Sequence, residues 1–150
     1  MVTPREAHYG GEMTRYVIDA ATLLHLVDDQ LTVDAEHQLV APNSIRSQAL
    51  QLLWNDVRRG ERTDTGARAS HEAMTELKMR LLGDRVSRWT AWQLARELDL
   101  ESLRPAEYLA VTRLQADALV TVDRGLAAIA EGVVPLASVE AMLGNGDDPS

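Results

Sequence analysis

The chain has 150 residues, of which 45% are hydrophobic and 25% charged, values that suit one domain folded around one core. Cysteine is absent, which excludes disulfides and thiolate metal sites, and no apolar run approaches the ~20 residues of a membrane span. The formal net charge of −8 argues against a broad nucleic-acid surface, because phosphate binding rests on clustered Lys and Arg.

Residues 1–13 are polar, with Pro4 and the pair Gly10-Gly11, and read as a flexible tail without an apolar signal segment. The expected location is therefore cytoplasmic, with no membrane. A domain over 14–143 follows, and 144–150 reads as a second flexible tail. The domain opens with Arg15-Tyr16-Val17-Ile18-Asp19, a short β-branched and aromatic run that predicts a buried strand. Leu23, Leu24 and Val27 then recur at helical spacing, so a helix leaves directly after Asp19. Leu39-Val40-Ala41, closed by Pro42, predicts a second strand, and Asn43 is placed to cap the next helix. That helix buries Ile45, Ala49, Leu52 and Leu53 and stops at Arg58-Arg59-Gly60.

Glu61 to Ala69 reads as a loop, and His71 to Leu82 as a helix stopped by Gly83. Ser87 is expected to cap a helix carrying Trp89, Trp92, Leu94 and Leu98. Pro105 suits the first position of a further helix, with Tyr108, Leu109, Val111 and Leu114. Ala118 to Asp123 is the clearest strand. Arg124 to Ala130 predicts a short helix, Val133 to Leu136 a last strand, and Ser138 to Leu143 a closing turn or helix.

Strands separated by helices imply right-handed crossovers and a parallel sheet. Chemistry in such sheets gathers at the carboxyl ends of the strands. Asp19 and Asp123 are both expected there, and two converging carboxylates suit a hard cation such as Mg²⁺. Each Asp also suits the N-cap of the helix that follows it.

In this context the sequence resembles the PIN-domain ribonucleases, in particular the VapC-type toxins of bacterial toxin–antitoxin pairs, over about Arg15 to Leu143. Tyr16-Val17-Ile18-Asp19-Ala20 resembles the first strand with its catalytic Asp. Ala41-Pro42-Asn43 followed by Ser47-Gln48-Ala49-Leu50 resembles the helix that carries the family's Glu. Pro105-Ala106-Glu107-Tyr108-Leu109-Ala110 resembles the helix that opens on an Asp, and Leu119-Val120-Thr121-Val122-Asp123-Arg124 the strand ending in a Thr-x-Asp signature.

The resemblance implies a three-layer α/β/α fold with a central parallel sheet and a site of three or four acids around Mg²⁺ or Mn²⁺ that hydrolyses RNA. It also implies homodimers and a small antitoxin partner. Asp19 and Asp123 match as metal ligands, and Thr121 matches as a supporting residue. Gln48 stands in place of the second acid and Pro105 in place of the third, which implies weak or absent metal binding. Gln48 faces inward, where it would either orient a water or satisfy nearby backbone. Glu107, two positions beyond Pro105, is expected to point away from the site, and Glu101 and Ser102 have no stronger claim.

His25, His37 and His71 lack the spacing of a helical metal site. Trp54, Trp89 and Trp92 fit core or interface better than base stacking. Asp28-Asp29 reads as a solvated helix end. Arg58, Arg59, Arg62 and Arg68 form a basic cluster that reads as a solvated helix end and loop, with contact to an RNA backbone as the alternative. No Gly-rich phosphate loop or nucleophilic triad pattern is visible. The leading expectation is a metal-dependent endoribonuclease of a toxin–antitoxin module, using Asp19, Gln48, Thr121 and Asp123. The rival is a degenerate PIN domain kept as an antitoxin-binding or self-associating module.

Overall fold

Alternating sterics and continuous burial select the strands. β1 (Thr14–Ile18) ends on Tyr16, Val17 and Ile18, all buried, the pattern of a strand covered on both faces. β2 (His37–Pro42), β3 (Arg80–Leu82) and β4 (Ala118–Val120) join it in one all-parallel sheet of order β3-β2-β1-β4. Val17 pairs with Val40 on one side and Leu119 on the other, and all three are fully buried. Helices flank the sheet in a three-layer α/β/α arrangement. The computed structural model describes residues 13–144; the rest of both expected tails lies outside the described residues.

Three helices pack on one another beside the sheet: α1 (Ala20–Asp28), α2 (Ile45–Arg58) and α3 (Asp64–Glu76). α4 (Arg85–Glu97) packs against α5 (Leu103–Gln115), which in turn lies on β1, β2 and β4. A helix held between a sheet and another helix has little solvent face, and α5 accordingly buries Ala106 and every residue from Tyr108 to Thr112. α6 (Arg124–Ala130) and α7 (Val139–Met142) close the chain. Among the described residues, no helix is long and apolar enough to cross a membrane.

Several local expectations change. The loop and helix expected over residues 61–82 are displaced upstream. Thr63 caps α3 by accepting from the Gly66 N–H at 2.9 Å, the backbone turns extended at Leu77, and residues 80–82 become β3 at the sheet edge. Leu77-Lys78-Met79-Arg80-Leu81 alternates apolar and charged residues, a strand period that the expected helix overlooked. Gly83 ends that strand, not a helix. Ser44, not Asn43, is the N-cap of α2, and it makes no side-chain capping bond.

The cap of α4 is Asp84, whose Oδ1 accepts from Ser87 N at 2.8 Å. Backbone and side-chain hydrogen bonds from Ser87 hold the Asp84 carboxyl below its usual range. Pro105 occupies the third position of α5 after the Ser102 cap, still within the turn whose N–H groups have no helical partner. The expected last strand shrinks to one parallel bridge, Leu119 to Leu136, because Pro135 has no N–H to extend a ladder.

Arg58, Arg59 and Arg68 are exposed, as expected of a helix end and loop, but Arg62 and Asp28 are partly buried against each other. Arg62 reaches Asp28 at 2.7 Å and Asp56 at 2.9 Å, and Ser70 donates to Asp28 at 2.7 Å. Arg59 reaches Asp56 at 2.8 Å and Glu61 at 3.2 Å. Partial burial pushes Asp28 up, but the hydrogen bonds from Arg62 and Ser70 and the Arg62 charge outweigh it and hold the carboxyl below its usual range. The network ties the ends of α1 and α2 to α3. The three tryptophans are also not core residues: Trp54, Trp89 and Trp92 are all about half exposed.

A β-carbon at Gly83 would overlap the side-chain amide of Asn43. Asn43 is exposed and its amide is the end of a flexible side chain, so Gly83→Ala should cost only about 0.5 kcal/mol as the amide swings aside, read by urea unfolding. Adding Asn43→Ala should return most of that loss, because it removes the atoms in the way.

Candidate functional site

Asp19 immediately follows β1 and caps α1, its Oδ1 accepting from Thr22 N at 3.3 Å and from the Thr22 hydroxyl. Asp123 lies three residues beyond β4 and caps α6, its Oδ1 accepting from Gly125 N at 2.8 Å and Leu126 N at 3.3 Å. The strand ends at Val120, so Thr121 to Asp123 form a turn where strand was expected. Because β1 and β4 are neighbours in a parallel sheet, both acids emerge at the same edge. They line one groove of about 520 Å³ with Gln48, Gln51, Asn55, Arg104 and Tyr108. The capping bonds fall on Oδ1 of each acid, which leaves Oδ2 of each outside the cap.

Two threonines hold the acids in place. The Thr22 hydroxyl donates to Asp19 and accepts from Val122 N at 3.0 Å, so one fully buried side chain joins the start of α1 to the turn after β4. Thr121 Oγ1 accepts from Asp123 N at 3.0 Å and its side chain also hydrogen-bonds Asp19. Burial raises the Asp19 carboxyl above its ordinary value of 3.8. The Thr22 and Thr121 hydrogen bonds oppose that rise, and the nearby Asp123 charge adds to it. Asp19 is 5% exposed, whereas Asp123 is open to solvent. The pair thus has one desolvated member and one solvated member.

Gln48 is buried and faces inward, as its spacing on α2 predicts. Its Oε1 accepts from the Tyr108 hydroxyl, and its Nε2 donates to Ser44 Oγ at 2.8 Å. Ser44 Oγ in turn donates to Glu107 Oε1 at 3.4 Å. Burial, then the charge of Asp19, pushes the Tyr108 phenol well above its usual range, so it stays a neutral donor. Pro105 lines the groove and offers no ligand atom. Glu107 points away, into a separate small cavity with Ser44, Gly83 and Arg88. Ser102 lines the acid groove; Glu101 does not.

Thr22, Ser44 and Tyr108 are the site residues that sequence reasoning misses. Thr22 carries a signal, since Asp19-x-x-Thr22 has the N-cap to N3 spacing of a capping box. Tyr108 and Gln48 are 60 residues apart, and nothing in sequence spacing pairs them.

The histidines stay apart in role. His25 faces Asp29 at 3.4 Å, His37 packs edge-on against Tyr16, and His71 lines a more apolar groove between α2 and α3. Among the described residues, no three His, Cys, Asp or Glu side chains gather into a metal cluster. The donors available to a cation are the two carboxylates, and that set fits Mg²⁺, which is often held by one or two carboxylates plus substrate oxygens.

No family model matches the chain, and no curated protein matches it. Among solved structures, the crystal structure of PAE2754 from Pyrobaculum aerophilum is similar, with a TM-score of 0.63 and 23% identity, over 86% of this chain and 93% of that one. At that identity the likeness shows the fold.

Two outcomes follow from the site geometry. Asp19→Asn should stabilise the fold at neutral pH, because it keeps the cap and removes a desolvated charge. The sign follows from linkage: a carboxyl raised in the folded state costs stability as pH rises from its ordinary value of 3.8 through the raised one, and costs nothing below both. The advantage of the variant should fade in unfolding curves taken at progressively lower pH. Tyr108→Phe should cost about 1–3 kcal/mol, since Gln48 Oε1 loses its buried donor, and the loss should shrink when Gln48→Leu is added.

Proposed function

We propose that this protein is a PIN-like endoribonuclease that hydrolyses RNA phosphodiesters with Mg²⁺ or Mn²⁺ held by Asp19 and Asp123. The observation that carries this reading is the delivery of both carboxylates to one groove by adjacent parallel strands, with Thr121 bonded to each residue. A bound cation would make water a better nucleophile and offset charge on the phosphate. It would also relieve the repulsion that Asp19 feels from Asp123. Arg104, at the groove wall, supplies a guanidinium for the RNA backbone. Gln48 Oε1 already accepts from Tyr108, and the second lone pair of an amide oxygen can accept from a water. Thr121 positions the acids. As a toxin module, the protein would act in the cytoplasm as a homodimer restrained by a small antitoxin, as the resemblance implies.

A second reading is favoured by the other half of the site. Gln48 is tied at both ends to neutral partners and Pro105 contributes no oxygen, as suits a fold retained as an interaction module.

Cleavage of RNA by the purified chain in Mn²⁺ separates the two. On the nuclease reading, Asp19→Asn and Asp123→Asn each abolish cleavage, and Thr121→Val lowers it by about 10–100-fold. Activity that survives Asp19→Asn would belong to a contaminant. On either reading, Gln48→Glu with Pro105→Asp should tighten Mn²⁺ binding in calorimetry. Flat titrations from that double variant would sink the assignment of the metal site.

A further inference from the structure

The outer face of α4 carries chemistry that the acid groove does not use. Its inner face, Ser87, Ala91, Leu94 and Ala95, packs into the protein. On the outside, Trp89 and Trp92 are 56% and 48% exposed. Their indoles lie parallel, with ring centroids 5.8 Å apart and planes 7° from each other. Arg85, Arg88 and Arg96 are exposed on the same helix, with Arg88 donating to the Gly83 carbonyl, and the helix's acids stand only at its ends, Asp84 as cap and Glu97 as last residue. In a chain with 23 acids against 15 Lys and Arg, this is a local cationic stretch. The spacing 85, 88 and 89, 92, 96 keeps these side chains on neighbouring turns of one face.

The chemistry selects the occupant. Parallel exposed indoles extend naturally into a stack of nucleobases, whatever their sequence, and guanidinium groups between them meet phosphates. A double helix would satisfy the arginines and leave the indole faces unused, because its bases are already stacked. A second copy docking isologously would set the patch against itself, pressing three arginines against three with acids only at the helix ends, Asp84 and Glu97. The place also fits. α4 packs along α5, whose first turn brings Arg104 and Pro105 to the acid groove. Trp92 lies five residues from the end of α4, a rise of about 7.5 Å.

We propose that the Trp89–Trp92 face of α4 is a binding surface for single-stranded RNA, outside the acid groove. Bases continue the indole stack, and Arg85, Arg88 and Arg96 hold the backbone. The choice of RNA rests on the ribonuclease reading; the surface itself is tested without cleavage.

The measurement is fluorescence anisotropy of a labelled 12-nucleotide oligouridylate with the full chain carrying Asp19→Asn, in EDTA. Trp89→Ala with Trp92→Ala should weaken binding by at least about 10-fold, and Trp89→Phe with Trp92→Phe should restore most of it. Arg85→Gln, Arg88→Gln and Arg96→Gln together should weaken binding and flatten its salt dependence. Trp54→Ala, on a different helix, should leave it unchanged, and an RNA duplex of equal length should compete poorly. Strand binding that meets these outcomes in a native protein that cuts no RNA upholds the surface and removes only the nuclease reading. Unchanged affinity in the double alanine variant overturns the proposal. So does a fall in solution mass on that substitution, read by sedimentation, since the face would then belong to self-association.

Discussion

The site exists because β4, late in the chain, pairs with β1 at its start. Sheet order β3-β2-β1-β4 places residues about a hundred positions apart side by side. The Thr22 hydroxyl then fixes the spacing, bonded at once to Asp19 and to the turn that carries Asp123. A parallel pair presents both strand ends at one edge, so the register of these two short strands sets where both carboxylates sit. Each acid also starts a helix, so local capping and the geometry of the groove are met by the same side chains.

Beside that pair a neutral side chain, Gln48, is held at both ends. Tyr108, Gln48, Ser44 and Glu107 form a continuous hydrogen-bonded chain from α5 to α2 and back. A carboxylate at position 48 would lose the amide donor to Ser44 and add repulsion to Asp19, which burial already disfavours as an anion. The neutral amide relieves both. A glutamine also offers a divalent ion less negative charge than a glutamate would. Ion affinity and resting stability therefore pull in opposite directions at this position, and the residues present favour stability.

Much of this was legible in the residues, for identifiable reasons. Tyr16-Val17-Ile18 and Leu39-Val40-Ala41 are short apolar runs bounded by a cap or a proline, and they form β1 and β2. The spacing of Ile45, Ala49 and Leu53 puts Gln48 inside. The sequence misleads where the deciding contact is distant. β3 pairs with β2 about forty residues earlier in the chain, whereas the Thr63 cap that starts α3 is local, three residues from the Gly66 N–H that it accepts. Arg62 reads as solvated in the sequence because Asp28 meets it only when α1 and α3 pack. The paired acids were predictable from strand ends; the tyrosine that pins Gln48 was not.

The sheet margins have a consequence of their own. Open strand borders invite pairing between molecules, the first step toward ordered aggregates. At β4 the neighbouring position is taken by the Pro135–Ala137 segment, which accepts from Leu119 N at 2.9 Å and donates to Leu119 O at 3.0 Å. Its proline has no N–H with which to recruit another chain. At the opposite margin β3 is three residues long and opens with an arginine, too short and too charged to template a neighbour. One border of the parallel sheet is thus covered and the other is short and charged, so neither is offered as a seed.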